Sequence, residues 1–274
     1  MPLLLPAMNS PTPSLAENFR YIVVAAADGV VTLTINRPGV LNAFHPPACA
    51  ELGAALDAFE RDPALRVALI TGAGERAFSA GFDLQYANAH PELYDEPMFG
   101  SELVRRARGR KPVIAAVNGV ALGFGFELAL ACDLIVAGRA ARFGLPEVKV
   151  GLAALAGGVV RLTRELGPKR ALGLALSGDI ITAAEGLHLG FVNEVAEGDV
   201  MEKARALAEK LSRNAPLSLA ATREMAYRSL DLPDLESALD PAQYPSLRAV
   251  LASEDAQEGR CAFLEKRAPM WKNR

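Results

Sequence analysis

The stretch PVIAAVNGVALGFGFELALACDLIVAG, residues 112–138, decides the fold class. It begins with an apolar run over 112–119 that ends in glycine and is typical of a buried strand. A glycine-rich turn follows, and the apolar segment FELALAC after it predicts a helix. DLIVAG then predicts a second buried strand. Strand and helix therefore alternate, which favours an α/β domain.

The neighbouring segments extend this alternation. VVTLTINRP alternates apolar and polar residues, as a half-buried strand does, and ACAELGAALDAFERD has apolar residues at helical spacing. VALITG, 67–72, predicts another buried strand, and GAGERAFSAGFDL after it predicts a glycine-rich loop. From about residue 158 onward the pattern predicts helices, with FVNEV, 191–195, as the one predicted strand. An α/β part is thus followed by a helical part.

Composition limits the class of protein. The chain has 274 residues, 51% of them hydrophobic, which is enough for one large domain. The net charge is −3 and no basic block suggests nucleic acid, while the apolar runs are too interrupted to predict a membrane span. The three cysteines are far apart and favour reduced, packed thiols. We expect a cytoplasmic enzyme, with the proline-rich residues 1–17 as a disordered leader.

Two glycine loops allow minor alternatives. GAGERA, 72–77, fits the dinucleotide pattern G-x-G-x-x-A, but Gly81 would interrupt the helix that this pattern requires. AFSAG, 77–81, loosely resembles a nucleophile elbow, but Ser79 does not follow its strand directly. The histidines have no obvious orienting acid, so we interpret them as surface or packing residues. Nothing in their spacing predicts a metal site.

Two glutamates carry the functional hypothesis. Glu127 is a lone acid on an apolar helix, which is costly unless the carboxylate is paired, solvated or functional. Because a glycine-rich turn opens that helix, its free N–H groups can stabilise an anion. Glu127 either caps its own helix, or converges on one site with Glu147, which follows a proline in FGLPEVKVGL. Paired carboxylates suit the transfer of protons between a carbon and a water.

Five motifs together resemble the enoyl-CoA hydratase/isomerase (crotonase) superfamily, from about residue 20 to 274. They are VTLTINRPGVLNAF, AFSAGFDL, AVNGVALGFGFELALACDLIVAG, ARFGLPEVKVGL and EDAQEGRCAFLEKRAP. The resemblance implies a spiral of repeated ββα turns over 18–205, followed by a helical oligomerisation region over 206–274. It implies a homotrimer or hexamer. The first predicted helix is acidic and has no lysine, which argues against the superfamily's RNA-binding branch.

The resemblance also implies an activity and a set of site residues. The implied reaction is hydration of a 2-enoyl-CoA to a 3-hydroxyacyl-CoA, with coenzyme A as part of the substrate and no further cofactor or metal. Glu127 and Glu147 match the catalytic acids, and the backbone N–H groups of Phe82 and Phe124 match the oxyanion hole. Phe263 and Lys266 match positions that reach the CoA of the same or a neighbouring subunit. The full set of implied substrate-binding residues is Leu41, Ala43, Ala80, Phe82, Asp83, Leu84, Phe263 and Lys266.

The two acids also discriminate within the superfamily. Isomerases that only shift a double bond usually keep the acid matching Glu147 alone, so both acids favour a hydratase or the reverse dehydratase. An isomerase, another acyl-CoA lyase and an inactive relative stay open as alternatives. Phe124 stands where many members have glycine, and its amide can donate only if φ there is negative. Ala154 and Leu155 replace a common Pro-Gly and add bulk near the acyl chain.

Overall fold

A computed structural model describes residues 19–94, 103, 105 and 109–274. The predicted leader, 1–17, and most of the segment SELVRRARG, which also has a helical pattern, lie outside the described residues. Within them, the strands form two sheets, one of six strands and one of four. The predicted α/β part and the helical part that follows it are both confirmed.

The larger sheet contains the predicted strands. Its order is β1-β2-β3-β5-β7-β10, with β1 antiparallel to β2 and the other pairs parallel. All six residues of β3 are buried, as expected for a parallel strand covered on both faces. The bounds are β1 Ile22–Ala27, β2 Val30–Ile35, β3 Val67–Gly72, β5 Val113–Val117, β7 Leu134–Gly138 and β10 Glu194–Ala196.

The smaller sheet supplies the second strand of each repeated ββα unit. Its order is β4-β6-β8-β9, and each of β3, β5 and β7 is followed by a strand of this second sheet. The chain then turns into a helical segment, so a ββα unit recurs and confirms the spiral. The prediction of a loop throughout 72–84 is wrong at β4, and β1, β6, β8 and β9 were not predicted. The bounds are β4 Ala77–Ser79, β6 Val120–Leu122, β8 Arg142–Gly144 and β9 Ile181–Thr182.

Helices dominate after residue 158, as predicted, and β10 begins at Glu194 rather than at 191. The described helices are α1 Pro46–Arg61, α2 Leu84–Ala89, α3 Phe124–Ala131, α4 Gly158–Leu166, α5 Pro168–Ser177, α6 Ala183–Leu189, α7 Val200–Ser212, α8 Pro216–Arg228, α9 Leu235–Leu239, α10 Pro245–Ala252 and α11 Glu254–Glu265. Short 3-10 turns occur at Pro38–Val40, Pro91–Tyr94, Pro146–Val150, Ser229–Asp231 and Pro241–Gln243. In the part of the chain that the structure describes, no helix is long and apolar enough to cross a membrane.

Helix α3 lies in the centre of the core. All eight of its residues are buried, which explains why its sequence is apolar on every side. The C-terminal helices are tied to this core through α8, where the hydroxyl of Tyr227 donates to Asp133 at 2.8 Å. Arg223 forms an ion pair with the same carboxylate at 2.8 Å. Because α3 is buried, its one acid, Glu127, lies in the interior of the protein.

Candidate active site

Two glycine turns bring the predicted oxyanion-hole residues together. Gly81 (φ 101°) and Gly123 (φ 53°) adopt conformations that only glycine takes easily. A Cβ atom on Gly81 would lie 3.5 Å from the amide nitrogen of Phe124, so the turns pack against each other. The rings of Phe82 and Phe124 stack at 4.5 Å. Phe124 is the first residue of α3 and does not have a positive φ. Its backbone amide therefore meets the requirement of a negative φ for donating into the oxyanion hole.

The segment RPGVLNAF holds the loop around Phe82. The amide of Phe44 donates to the carbonyl of Gly81 at 2.7 Å, and the amide of Asp83 donates to the carbonyl of Phe44 at 2.8 Å. The Asp83 carboxylate pairs with Arg37 at 2.9 Å, with side chains only 11% and 14% exposed. Both peptides flanking Phe82 are therefore fixed by residues about 40 positions earlier in the chain.

Glu127 is buried and caps a neighbouring helix. Its side chain is 1% exposed, and Oε1 accepts a hydrogen bond from the amide of Gly158 at 2.8 Å. Gly158 is the first residue of α4. The Glu127 carboxylate therefore caps the N-terminus of α4 and not that of α3, the helix to which Glu127 belongs. A Cβ atom on Gly158 would lie 2.8 Å from Cγ of Glu127, which explains the glycine.

Glu147 lies against the turn that precedes Phe124. It belongs to the 3-10 turn after β8, and its Oε1 is 3.2 Å from the position that a Cβ atom on Gly123 would take. Its Oε2 is buried and has no hydrogen-bond partner among the described residues. Buried polar atoms are nearly always bonded, so this oxygen is a natural contact for a water or a ligand.

Burial shapes the ionisation of both acids. It raises the pKa of Glu127 from the ordinary 4.5 to about 7; the Gly158 amide opposes this rise and the negative charge of Glu147 adds to it. Burial also raises the pKa of Glu147. A pKa of about 7 allows Glu127 to accept and to donate a proton near neutral pH. The pair can then accept a proton at one carboxylate and donate one from the other.

Both glutamates line one cavity of about 130 Å³. The rest of the lining is mainly apolar and aromatic. It comes from the start of α1 and the residues just before it, from α2 and the 3-10 turn after it, from the turn after β4 and from the segment before α4. The lining residues are Phe44, His45, Pro46, Phe82, Asp83, Leu84, Tyr86, Ala87, Leu93, Glu127, Glu147, Leu152, Ala153 and Leu155. A few polar groups in an apolar concavity are the usual form of a small-molecule site.

Only some of the substrate-binding residues implied by the resemblance line the cavity. Phe82, Asp83 and Leu84 line the cavity, and so does Leu155, one of the two bulky departures from the common pattern. The remaining implied residues, Leu41, Ala43, Ala80, Phe263 and Lys266, are outside its lining. Ala80 and Leu41 are joined by a backbone hydrogen bond at 3.0 Å. Phe263 is 82% exposed on α11, and Lys266 ends that helix in a left-handed conformation.

The two minor alternatives do not fit the described loops. The dinucleotide pattern requires a helix directly after GAGERA, but strand β4 lies there and the next helix, α2, begins only at Leu84. This loop therefore does not have the geometry of a dinucleotide-binding turn. Ser79 is fully buried, and its hydroxyl accepts from the amide of Gly81 at 3.2 Å, which is a turn-stabilising role. Among the described residues, no three His, Cys, Asp or Glu side chains are grouped as a metal site.

Among the polar residues of the lining, the sequence analysis missed His45 and Tyr86. His45 was interpreted as a surface or packing residue, but it is only 5% exposed and lines the cavity. It stands at the N-cap of α1, a position usually taken by Ser, Thr, Asp or Asn. That unusual choice, directly before Pro46, is the one signal that could have pointed to it.

Comparison with known proteins agrees with this geometry. Residues 25–274 match the family model described as enoyl-CoA hydratase/isomerase. The carnitinyl-CoA dehydratases of Escherichia coli (strain K12) and Salmonella typhi are each 43% identical over 254 residues, 89% of this chain and 95% of theirs. The enoyl-CoA hydratase structure from Mycobacterium tuberculosis H37Rv has a TM-score of 0.84 at 38% identity, over 93% of this chain and 99% of that one. That of Bacillus anthracis has a TM-score of 0.86 at 33% identity, over 93% and 100%.

Proposed function

Because the chain belongs to the enoyl-CoA hydratase/isomerase family, we propose that it adds water across the C2–C3 double bond of a 2-enoyl-CoA. The reverse reaction dehydrates a 3-hydroxyacyl-CoA. One observation carries the proposal: two carboxylates, those of the buried Glu127 and the half-buried Glu147, line one mainly apolar cavity. Addition of water needs one group that takes a proton and another that supplies one. A double-bond shift requires only one such acid, so the pair favours hydration.

The thioester carbonyl is proposed to bind where the amides of Phe82 and Phe124 meet. Attack at C3 moves negative charge onto that oxygen, and donors aimed at developing charge typically contribute about 10²–10³ in rate each. The position of Phe124 at the start of α3 adds the favourable end of the helix dipole. The bonds from Phe44 and the Arg37–Asp83 pair support the Phe82 amide.

The two acids are proposed to hold the reacting water between them. The ionised carboxylate takes one proton from the water as its oxygen bonds to C3, and the protonated carboxylate gives a proton to C2. One water is consumed, the pair holds one proton before and after the step, and transfer of that proton back to the second carboxylate resets the pair for the next turnover. Gly158 fixes one oxygen of Glu127, so the other is held in a constant direction. The unpartnered Oε2 of Glu147 supplies an acceptor for the water.

The relatives named carnitinyl-CoA dehydratase favour a second candidate, the dehydration of carnitinyl-CoA. Carnitine carries a quaternary ammonium group close to the hydroxyl that is eliminated. Aromatic faces and nearby carboxylates stabilise such cations. Phe82 and Tyr86 line the same cavity as the two glutamates, so the site contains both kinds of group.

A substrate panel tests the proposal. The purified chain is incubated with 2-enoyl-CoA esters of increasing chain length and with the unsaturated product of carnitinyl-CoA dehydration. Hydration is followed as loss of conjugated-thioester absorbance, and the product is identified by mass as the substrate plus one water. We expect hydration of at least one ester, with one deuterium at C2 when the solvent is D2O. Migration of the double bond without added water would replace the proposal with an isomerase.

A further inference from the structure

His45 has an internal bond that fixes its tautomer. The backbone amide of Ala48 donates to Nδ1 at 3.3 Å, as an N-cap requires. Nδ1 must therefore be unprotonated, which places the ring proton of the neutral histidine on Nε2. Within the described part of the chain, Nε2 of His45 forms no hydrogen bond with another residue. An N–H donor without a partner is thus present on a residue that lines the cavity.

Aromatic neighbours hold the ring in place. Tyr21 meets it edge to face at 4.5 Å, and Tyr86 does so at 5.1 Å. Tyr86 is itself stacked on His90 at 4.1 Å. Burial and the charge of Arg37 lower the pKa of His45, so the ring is neutral at physiological pH. The donor consequently has a fixed position and carries no charge.

The acid next to the ring, Asp83, is already paired, and most of the cavity lining is apolar. Asp83 accepts from the amide of Tyr86 at 3.0 Å with one oxygen and from Arg37 at 2.9 Å with the other. The apolar part of the lining is Phe44, Pro46, Phe82, Leu84, Ala87, Leu93, Leu152, Ala153 and Leu155. A plain alkyl chain in this cavity would leave the histidine donor buried and unsatisfied, which is unfavourable.

We propose that His45 determines specificity by donating its Nε2 proton to an uncharged oxygen on the acyl group, such as a hydroxyl, ether or ketone beyond C3. The inference rests on the proposed function and names the substrate class of the same site. A carboxylate is a poor match because the cavity already contains Glu127 and Glu147, and the charge of Arg37 is taken by Asp83. The preferred substrate is therefore an oxygen-bearing 2-enoyl-CoA.

Two matched variants separate the donor from the cap. His45→Asn keeps an acceptor at the N-cap but removes the distal donor, whereas His45→Gln keeps a donor near the position of Nε2 and loses the cap. Both are assayed on a pair of enoyl-CoA esters of equal length, one with an alkyl tail and one with an oxygen in the tail. Melting curves accompany each assay and establish that the variants are folded.

We expect the wild type to prefer the oxygen-bearing ester by about 10- to 100-fold in kcat/KM, the range for a buried donor left unpaired. His45→Asn should abolish this preference by lowering kcat/KM for the oxygen-bearing ester to the value for the alkyl ester, while His45→Gln should retain most of the preference at a lower Tm. Equal turnover of both esters by the wild type would overturn the inference and leave the hydratase proposal intact. So would an equal loss on both esters in His45→Asn, or a wild-type preference for a trimethylammonium ester. Inactivity of the wild type on every ester would remove both proposals.

Discussion

Glu127→Gln should lose turnover and become more stable above neutral pH. The carboxylate is 1% exposed, and burial raises its pKa from 4.5 to about 7. Glutamine keeps the size of the side chain and an acceptor for the Gly158 amide, but it cannot take or give a proton. One substitution should therefore separate the chemical role of Glu127 from its contribution to stability.

The magnitude follows from the pKa. Each step of one in pKa is worth about 1.4 kcal/mol, so a rise from 4.5 to about 7 corresponds to about 3 kcal/mol. The pKa of Glu127 is higher in the folded state than in the unfolded state, so protonated Glu127 makes its full contribution to stability below about pH 4.5. That contribution is lost as the pH rises through about 7. Above pH 7 the wild type holds an unfavourable buried charge, and the variant does not. The gain in free energy of unfolding should approach about 3 kcal/mol at pH 8.5 and vanish near pH 4.5.

The assay pairs kinetics with melting at two pH values. Loss of a positioned acid or base should lower turnover of an enoyl-CoA by about 10²–10⁴. The Tm should rise by several degrees at pH 8.5 and by little at pH 5. Glu197→Gln is the matched control, because Glu197 is 77% exposed in its pair with Arg139 and should change neither quantity. A Tm gain that is equal at both pH values, or a loss of stability at pH 8.5, would show that ionisation of buried Glu127 does not limit stability.

Further predictions concern the framework of the site. Gly158→Ala should push Glu127 out of place and lower turnover at least about tenfold, whereas Gly173→Ala, which meets no atom within 4 Å, should leave turnover unchanged. Arg37→Met should lower kcat more than it changes KM, because an unpaired Asp83 no longer fixes the Phe82 loop, and adding Asp83→Asn should recover part of the loss. Light scattering at micromolar concentration should give a homotrimer or hexamer, and a monomeric mass would contradict the predicted self-association.

The sequence predicted the fold where a segment has one clear pattern. β3 has six buried residues in a row, and α1 has a regular apolar face, so both follow from residue spacing. β4 and β9 have only three and two residues, too few for any period to show. Their existence depends on pairing with β6 and β8, which a local pattern does not contain.

The site was predictable only in part for a similar reason. Glu127 and Glu147 are conspicuous because acids are unusual in such apolar surroundings, and the structure places both on one cavity. The amide that binds Glu127 is 31 positions away. His45 was missed because its role depends on a cavity wall made by distant segments. Sequence patterns show which residues are unusual, whereas their partners come from the tertiary fold.

Turnover in the double variant Glu127→Gln/Glu147→Gln, compared with both single variants, measures whether the two acids act together on one water. If the two acids bind and activate one water together, each single substitution should lower the hydration rate by a factor of about 10²–10⁴. The double substitution should lower it little further than either single one. Melting curves for all three variants establish that the fold is intact. Near-wild-type hydration by Glu127→Gln would contradict the account and leave isomerase-like chemistry on Glu147 as the better explanation.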